Sequence, residues 1–357
     1  MKVLVLGGTG AMGMHLVQLL VKKEVSTFVT SRKYRNSYNN LQYIQGDAQN
    51  ISFLKKTLES NEWDAIIDFM VYNTQSFKER VDLLLNNTKQ YVFLSSARVY
   101  ANSEKPITET SPRLLDVSQD TNYLATDEYA LIKARQEDIL KNSRYRNYTI
   151  IRPYITYSET RLQLGIFEKE DWLYRVLHDR TIVFSEDICK KITTLTYGYD
   201  VSSVIVNLIG NTNTLGEIFH VTQNVQQSCT WQHILDIYIG VLEKNLGYKP
   251  KILLQNLDEF LDISHNTKYA VLYDRLFDRY FDNSKIVQYI DTNNFISIEK
   301  GLIKCLEEFL ENPQFKQINW RRQAKIDKLC REITPLFEIE GAKQKVKYLL
   351  FRYGIKK

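Results

Sequence analysis

The chain has 357 residues, 44% apolar and 25% charged, an ordinary globular composition whose length suits one large domain plus a smaller one. No apolar run approaches the roughly 18 residues that a membrane-spanning helix needs, and the opening apolar stretch is too short for a secretory signal. The net charge of +5 is uneven, because residues 320–357 hold 11 Lys and Arg against 4 Asp and Glu; the first 319 residues therefore carry −2, which excludes a basic nucleic-acid-binding main body.

Short apolar runs at Lys2–Leu6, Ser26–Thr30, Leu41–Ile44, Ala65–Phe69, Tyr91–Leu94 and Tyr148–Ile151 predict buried strands, with helical patterns between them. Such alternation predicts parallel strands joined by right-handed crossovers, with both faces covered. The expected fold class is α/β, a Rossmann-type doubly wound parallel sheet forming a dinucleotide-binding domain over residues 1–153. The first strand runs into Gly7-Gly8-Thr9-Gly10-Ala11-Met12-Gly13, and an amphipathic helix follows from Met14 to Lys22. Glycines at 7, 10 and 13 suit a tight turn, close backbone approach to a pyrophosphate, and close helix-to-sheet packing, while the helix N-terminus offers N–H groups to the anion. Gly7, Thr9, Gly10, Ala11, Met12 and Gly13 are thus the expected cofactor contacts.

The second strand ends Thr30-Ser31-Arg32-Lys33, without the Asp or Glu that binds an NAD ribose. Ser31 and Arg32 suit a 2′-phosphate, so NADP is the expected cofactor and NAD its alternative. Asp47, after the third strand, either meets the adenine amino group or caps the helix before Ile51. Farther along, Tyr91–Leu94 leads into the hydroxyls of Ser95 and Ser96, and Tyr129 and Lys133 stand one helical turn apart. A phenol with an ordinary pKa of about 10 is a poor base near neutrality, but a nearby ammonium favours its phenolate. Ser96, Tyr129 and Lys133 therefore form a candidate centre for carbonyl–alcohol redox, with Ser96 holding the substrate oxygen.

Beyond Arg152-Pro153 the pattern predicts a smaller substrate-binding domain over 154–319. Its expected helices lie at 170–178, 201–209, 231–246 and 298–310, and a strand at Ile218–Val221 returns to the sheet. Asn312-Pro313 ends a helix. Residues 320–357 form a basic helical tail.

These features together resemble the extended short-chain dehydrogenases/reductases, the NAD-dependent epimerase/dehydratase group acting on nucleotide-activated sugars. The glycine loop, Gly46-Asp47, Ser95 to Tyr100, Tyr129 to Lys133, Arg152-Pro153 and Asp200-Val201 carry the likeness over about the first 310 residues. The resemblance implies a nucleotide-linked sugar as substrate and a homodimer. The dehydratases' Asp-Glu pair is replaced by Ala97-Arg98, which argues against elimination of water. Ile155 stands where many relatives have a phosphate-contacting Asn, and Ser158 replaces a Gly. Arg98 and Tyr154 border the expected site.

Residues 170–175, with Arg180, are similar to a branch that includes chloroplast stem-loop RNA-binding proteins, some members of which lack the catalytic tyrosine. This chain retains Tyr129 and Lys133. Arg175 and Arg180 are expected either to bind substrate phosphate or to form a solvated helical face. The leading expectation is NADPH-dependent reduction of a keto-sugar. Its alternatives are an epimerase with retained NAD and an RNA-binding or regulatory protein on the same scaffold.

Cys189, Cys229, Cys305 and Cys330 show neither metal spacing nor a CxxC pair, and His15, His178, His220, His233 and His265 make no metal motif, which points to a reducing cytoplasm and no metal. The apolar residues of the tail recur at helical spacing. Their face is expected to pack on the second domain or a sister subunit, or to make peripheral contact with an anionic membrane; nucleic acid is not an expected partner.

Overall fold

Seven apolar segments become one all-parallel sheet in the computed structural model, which describes residues 1–264 and 267–354. They are β1 (Lys2–Leu6), β2 (Ser26–Ser31), β3 (Leu41–Gln45), β4 (Ala65–Asp68), β5 (Tyr91–Leu94), β6 (Tyr148–Pro153) and β7 (Ile218–Val221), in the order β7-β6-β5-β4-β1-β2-β3. Leu4 lies beside Phe28 on one side and Ile66 on the other, so β1 is central. The order reverses at β1, where such sheets place a ligand crevice outside the strands' carboxyl ends.

Alternation of side chains explains the two cores. Val3, Val5, Val29, Ile67 and Val92 face helices α1 (Ala11–Lys22) and, later in the chain, 198–208, while Leu4, Leu6, Ile66 and Phe93 face α2 (Ile51–Glu59) and α3 (Tyr129–Lys141). The helix α4 (Gly198–Leu208) sets Val201, Val204 and Ile205 against Leu16 and Leu20 of α1. It begins three residues earlier than its apolar periodicity announces.

The chain forms two compact units. The first contains residues 1–158, 194–228 and 279–298, and the second contains the described residues of 159–193, 229–278 and 299–357. The units are therefore interleaved in sequence after residue 158, and β7 is the segment that takes the chain back into the sheet.

In the second unit, α5 (Trp231–Leu246), α6 (Ile298–Glu311), α7 (Trp320–Cys330) and α8 (Ala342–Tyr353) are the principal helices. Small strands of two to four residues also pair there, Ile182–Ser185 with Ile252–Gln255 and Ile192–Thr193 with Cys229–Thr230. The helix expected over 170–178 shrinks to Leu173–Val176, and Asp179, at φ +51°, ends the turn that follows. Trp320, Ala324 and Tyr348 of the tail bury with Tyr174, so the tail's inner face packs within this unit. None of the described helices is long and apolar enough to cross a membrane.

Candidate active site

The turn from β1 into α1 has the shape a dinucleotide phosphate requires. Gly7 has φ +71°, which L side chains rarely adopt. A Cβ on Gly13 would lie 2.6 Å from the Gly8 Cα, so only glycine lets α1 approach β1 this closely. A Cβ on Gly10 would meet nothing nearer than the Gly7 carbonyl at 3.9 Å, which leaves the backbone open to a ligand. Thr9 and Gly10 are exposed, Ala11 and Met12 half-buried, and no side chain caps α1 at its N-terminus. Its first N–H groups are therefore free to face an anion. The residues present fit a nicotinamide dinucleotide.

At the end of β2, Arg32 and Lys33 are exposed, whereas Ser31 is buried and its hydroxyl donates to the Lys33 carbonyl at 2.8 Å. Ser31 thus shapes the turn that presents the two cations. Asp47 is exposed and accepts from the Gln49 N–H, but it does not cap α2. Asn50 does so, accepting from the Phe53 N–H at 3.0 Å, because the helix starts one residue beyond it.

Ser96, Tyr129 and Lys133 all belong to the first unit. The adjacent hydroxyls after β5 diverge: Ser95 donates to the buried Glu137 at 2.5 Å, while Ser96 Oγ accepts from the Arg98 N–H at 3.2 Å and starts a short turn over Ala97–Val99. Tyr129 opens α3 and is half-buried. One turn on, Lys133 is 2% exposed and donates from Nζ to the Leu94 carbonyl at 2.7 Å, so the lysine ties α3 to the end of β5. Its Nζ lies 5.9 Å from the centre of the Tyr129 ring, and the Arg98 guanidinium carbon lies 5.5 Å from it. Two cations therefore flank the phenol.

Burial pushes Lys133 down to about 8, opposed by the charges of Asp68 and Glu137. Asp68, the last residue of β4, is fully buried, and burial raises its carboxyl above the usual range. The Met70 N–H at 2.9 Å and the Tyr91 and Tyr72 hydroxyls at 2.8 and 3.4 Å work the other way. Glu137 shares a helix face with Tyr129 and Lys133 and takes both nitrogens of a fork from Arg152, at 2.7 and 2.6 Å. Burial would raise Glu137, but Arg152, Ser95 and Arg113 bring it below the ordinary carboxylate range. Arg152 thus anchors α3 to β6.

Asp68, Glu128 and Glu137 are the site's residues that sequence reasoning missed. Glu128 caps α3 through the Ala130 N–H at 2.7 Å and pairs with Arg98 at 2.6 Å, holding that cation beside Tyr129. Its place directly before the Tyr129 helix was the available signal.

Other expected contacts lie elsewhere. Tyr154 is 1% exposed, packed against Phe281 at 5.2 Å between ring centres, so its ring is a core contact rather than a surface for substrate. Next to it, Ile155 has φ +36°, a strained left-handed backbone for a β-branched residue. Asn tolerates this geometry better, so the bend persists where the family's asparagine is absent. Arg175 and Arg180 belong to the second unit and are neither solvated nor open to phosphate. Arg175 donates to Gln323, Asp327 and Glu332 at 2.7–2.8 Å, and Arg180 pairs with Glu338 and Thr334. Acids of the tail already occupy these guanidiniums.

A cavity of about 400 Å³, lined by residues that include Asp64, Lys89, Gln90 and Gly210, lies at the amino ends of the strands. The glycine turn, Asp68 and Ser96 follow the carboxyl ends of β1, β4 and β5, and ligand chemistry in this architecture belongs there. Among the described residues no group of three or more His, Cys, Asp or Glu can hold a metal; His265 lies outside them.

Comparisons with known proteins agree with this geometry. Over 239 residues the chain is 24% identical to the chloroplast stem-loop binding protein of 41 kDa b of Arabidopsis thaliana, covering 62% of this chain and 58% of that protein. Over 152 residues it is 28% identical to the UDP-glucose 4-epimerase of Lactobacillus helveticus, covering 39% and 46%. The chain thus spans about half the length of these two relatives. The UDP-glucuronic acid 4-epimerase of Bacillus cereus, solved with UDP-glucuronic acid and NAD, superposes with a TM-score of 0.65 at 17% identity, over 87% of this chain and 99% of that one. That likeness establishes the shared fold. Residues 3–169 match the model of the NAD dependent epimerase/dehydratase family, a span that contains the glycine turn, Ser96, Tyr129 and Lys133.

Proposed function

We propose that the protein is an NAD(P)-dependent oxidoreductase of a nucleotide-linked sugar that works through a transient keto-sugar, as an epimerase does. The observation that carries this reading is the buried Lys133 tied to the end of β5, with Tyr129 one turn before it and Ser96 two residues beyond β5. A bound nicotinamide dinucleotide would supply or accept hydride, and Gly7, Thr9, Gly10, Ala11, Met12 and Gly13 would hold its pyrophosphate. Tyr129 takes the proton of the sugar hydroxyl as that carbon is oxidised and returns it on reduction, and the Lys133 and Arg98 charges stabilise its phenolate. Ser96 orients the reacting oxygen. Ala97-Arg98 leaves no acid directly after Ser96 for dehydration, and the named epimerase relatives favour recycling of the cofactor.

A second reading, NADPH-dependent reduction of a keto-sugar, is favoured by exposed Arg32 and Lys33 at the end of β2, where no carboxylate stands to meet an NAD ribose. Tightly retained NAD after purification supports the epimerase, and exchangeable NADPH supports the reductase. Either reading carries a homodimer in a reducing cytoplasm. The decisive experiment follows UDP-glucose and UDP-glucuronic acid by NMR with wild type and Tyr129→Phe. The variant is expected to keep its fold and cofactor affinity while turnover falls by about 10²–10⁴-fold. Near-normal turnover in Tyr129→Phe would refute the assignment.

A further inference from the structure

Of the twenty large apolar side chains that stand exposed among the described residues, eight fall between Leu329 and Tyr353. On α8, Lys343, Val346, Lys347, Leu350 and Tyr353 are all exposed, and their spacing of three, one, three and three residues places them along one face. Tyr348, fully buried, marks the opposite face. In the connection before α8, Ile333 and Phe337 are 61% and 86% exposed. The tail therefore buries one side in the second unit and leaves another side apolar in water.

Charge distinguishes the occupants this surface would accept. Three of the tail's four acids turn inward: Asp327 and Glu332 pair with Arg175, and Glu338 pairs with Arg180. Glu340 is exposed, as are Lys328, Arg331, Lys343 and Lys347, so the outward charge is positive. A second copy docking by the same face would bring like charges together. Nucleic acid would meet the cations and could stack on Phe337 and Tyr353, but it would leave the exposed aliphatic Ile333, Val346 and Leu350 without an apolar partner. An anionic bilayer satisfies both features, because headgroups meet the lysines while aliphatic side chains enter the acyl boundary.

We propose that the second unit attaches peripherally to anionic lipid membranes through this face, with α8 lying in the plane of the interface. The proposal is independent of the redox reading. Its test uses the full chain with vesicles of phosphatidylglycerol and phosphatidylcholine in equal parts, and with phosphatidylcholine alone. Co-sedimentation is expected with the anionic vesicles only, and it should be released by high salt. Leu350→Asp, and separately Lys343→Glu with Lys347→Glu, should each weaken binding at least about tenfold. These side chains are exposed, so an unchanged melting temperature verifies that the variants fold. No sedimentation at low salt, or sedimentation undiminished in Leu350→Asp, overturns the proposal. So does a dimer lost in Leu350→Asp without vesicle binding, or capture of a structured RNA stem by the same face while vesicles stay unbound.

Discussion

Tyr129 has two cations beside its ring, and they are held differently. Arg98 is fixed by an ion pair to Glu128, whereas Lys133 is buried and faces two buried acids, Asp68 and Glu137. Burial lowers Lys133 to about 8, so its charge is lost as pH rises through that value, and a reaction that needs the ammonium loses rate on the same alkaline limb. Asp68 acts against burial and raises Lys133. Asp68→Asn removes that charge, so Lys133 should deprotonate at lower pH and the alkaline limb of kcat should move down by roughly one pH unit. In Asp68→Asn the amide oxygen can keep accepting from the Met70 N–H and the Tyr72 hydroxyl while the amide NH2 donates to the Tyr91 hydroxyl oxygen, which preserves the packing. A limb that stays in place in a folded Asp68→Asn variant would show that Asp68 does not act on Lys133.

The turn from β1 into α1 separates packing from binding within four residues. Gly13→Ala would force a methyl group onto the Gly8 backbone and push α1 away from β1, at a cost of about 1–3 kcal/mol. Gly10→Ala meets open space, so its melting temperature should stay close to wild type while dinucleotide affinity falls at least tenfold, in proportion to the approach a phosphate needs. Thermal melting and cofactor titration on the two variants check this; equal destabilisation by both would sink the distinction. These glycines were legible because each task is local to one strand–turn–helix unit. Six of the seven strands were legible for a related reason, since burial on both faces leaves mostly apolar runs, whereas in the edge strand β3 only Leu41 is buried. Asp68 was not, because an acid that ends a strand looks like any turn residue until Tyr72, Tyr91 and Lys133 close around it. The two-residue strands of the second unit are too short for a period to register.

Long-range ion pairing decides how the tail relates to the rest of the chain. Arg175 and its partners Asp327 and Glu332 are 152 and 157 residues apart in sequence, so composition alone left Arg175 with a choice between phosphate and solvent. In the second unit it has no exposed surface and donates four ways, to the Thr181 carbonyl at 2.7 Å, to Gln323 and to the two acids, one of which is itself fully buried. Burial tends to raise Asp327, but Arg175 and the Tyr348 and Thr334 hydroxyls hold it below the ordinary carboxylate range. That contribution to stability is present above the unfolded carboxylate pKa of about 3.9 and is lost as pH falls toward the lower folded value, so the tail should loosen in acid. Removing the cation is harsher than adding the proton. Arg175→Met leaves Asp327 buried without its counter-charge and should cost about 3–5 kcal/mol, roughly 10 °C of melting temperature for a unit of this size. Arg321→Met, at an exposed position on α7, the helix that carries Asp327, should change the melting temperature by no more than about 2 °C. The same pair of variants separates a structural guanidinium from a substrate contact. A normal melting temperature for Arg175→Met, together with weakened binding of a UDP-sugar, would restore Arg175 to the substrate site and dissociate the tail from the stability of the second unit.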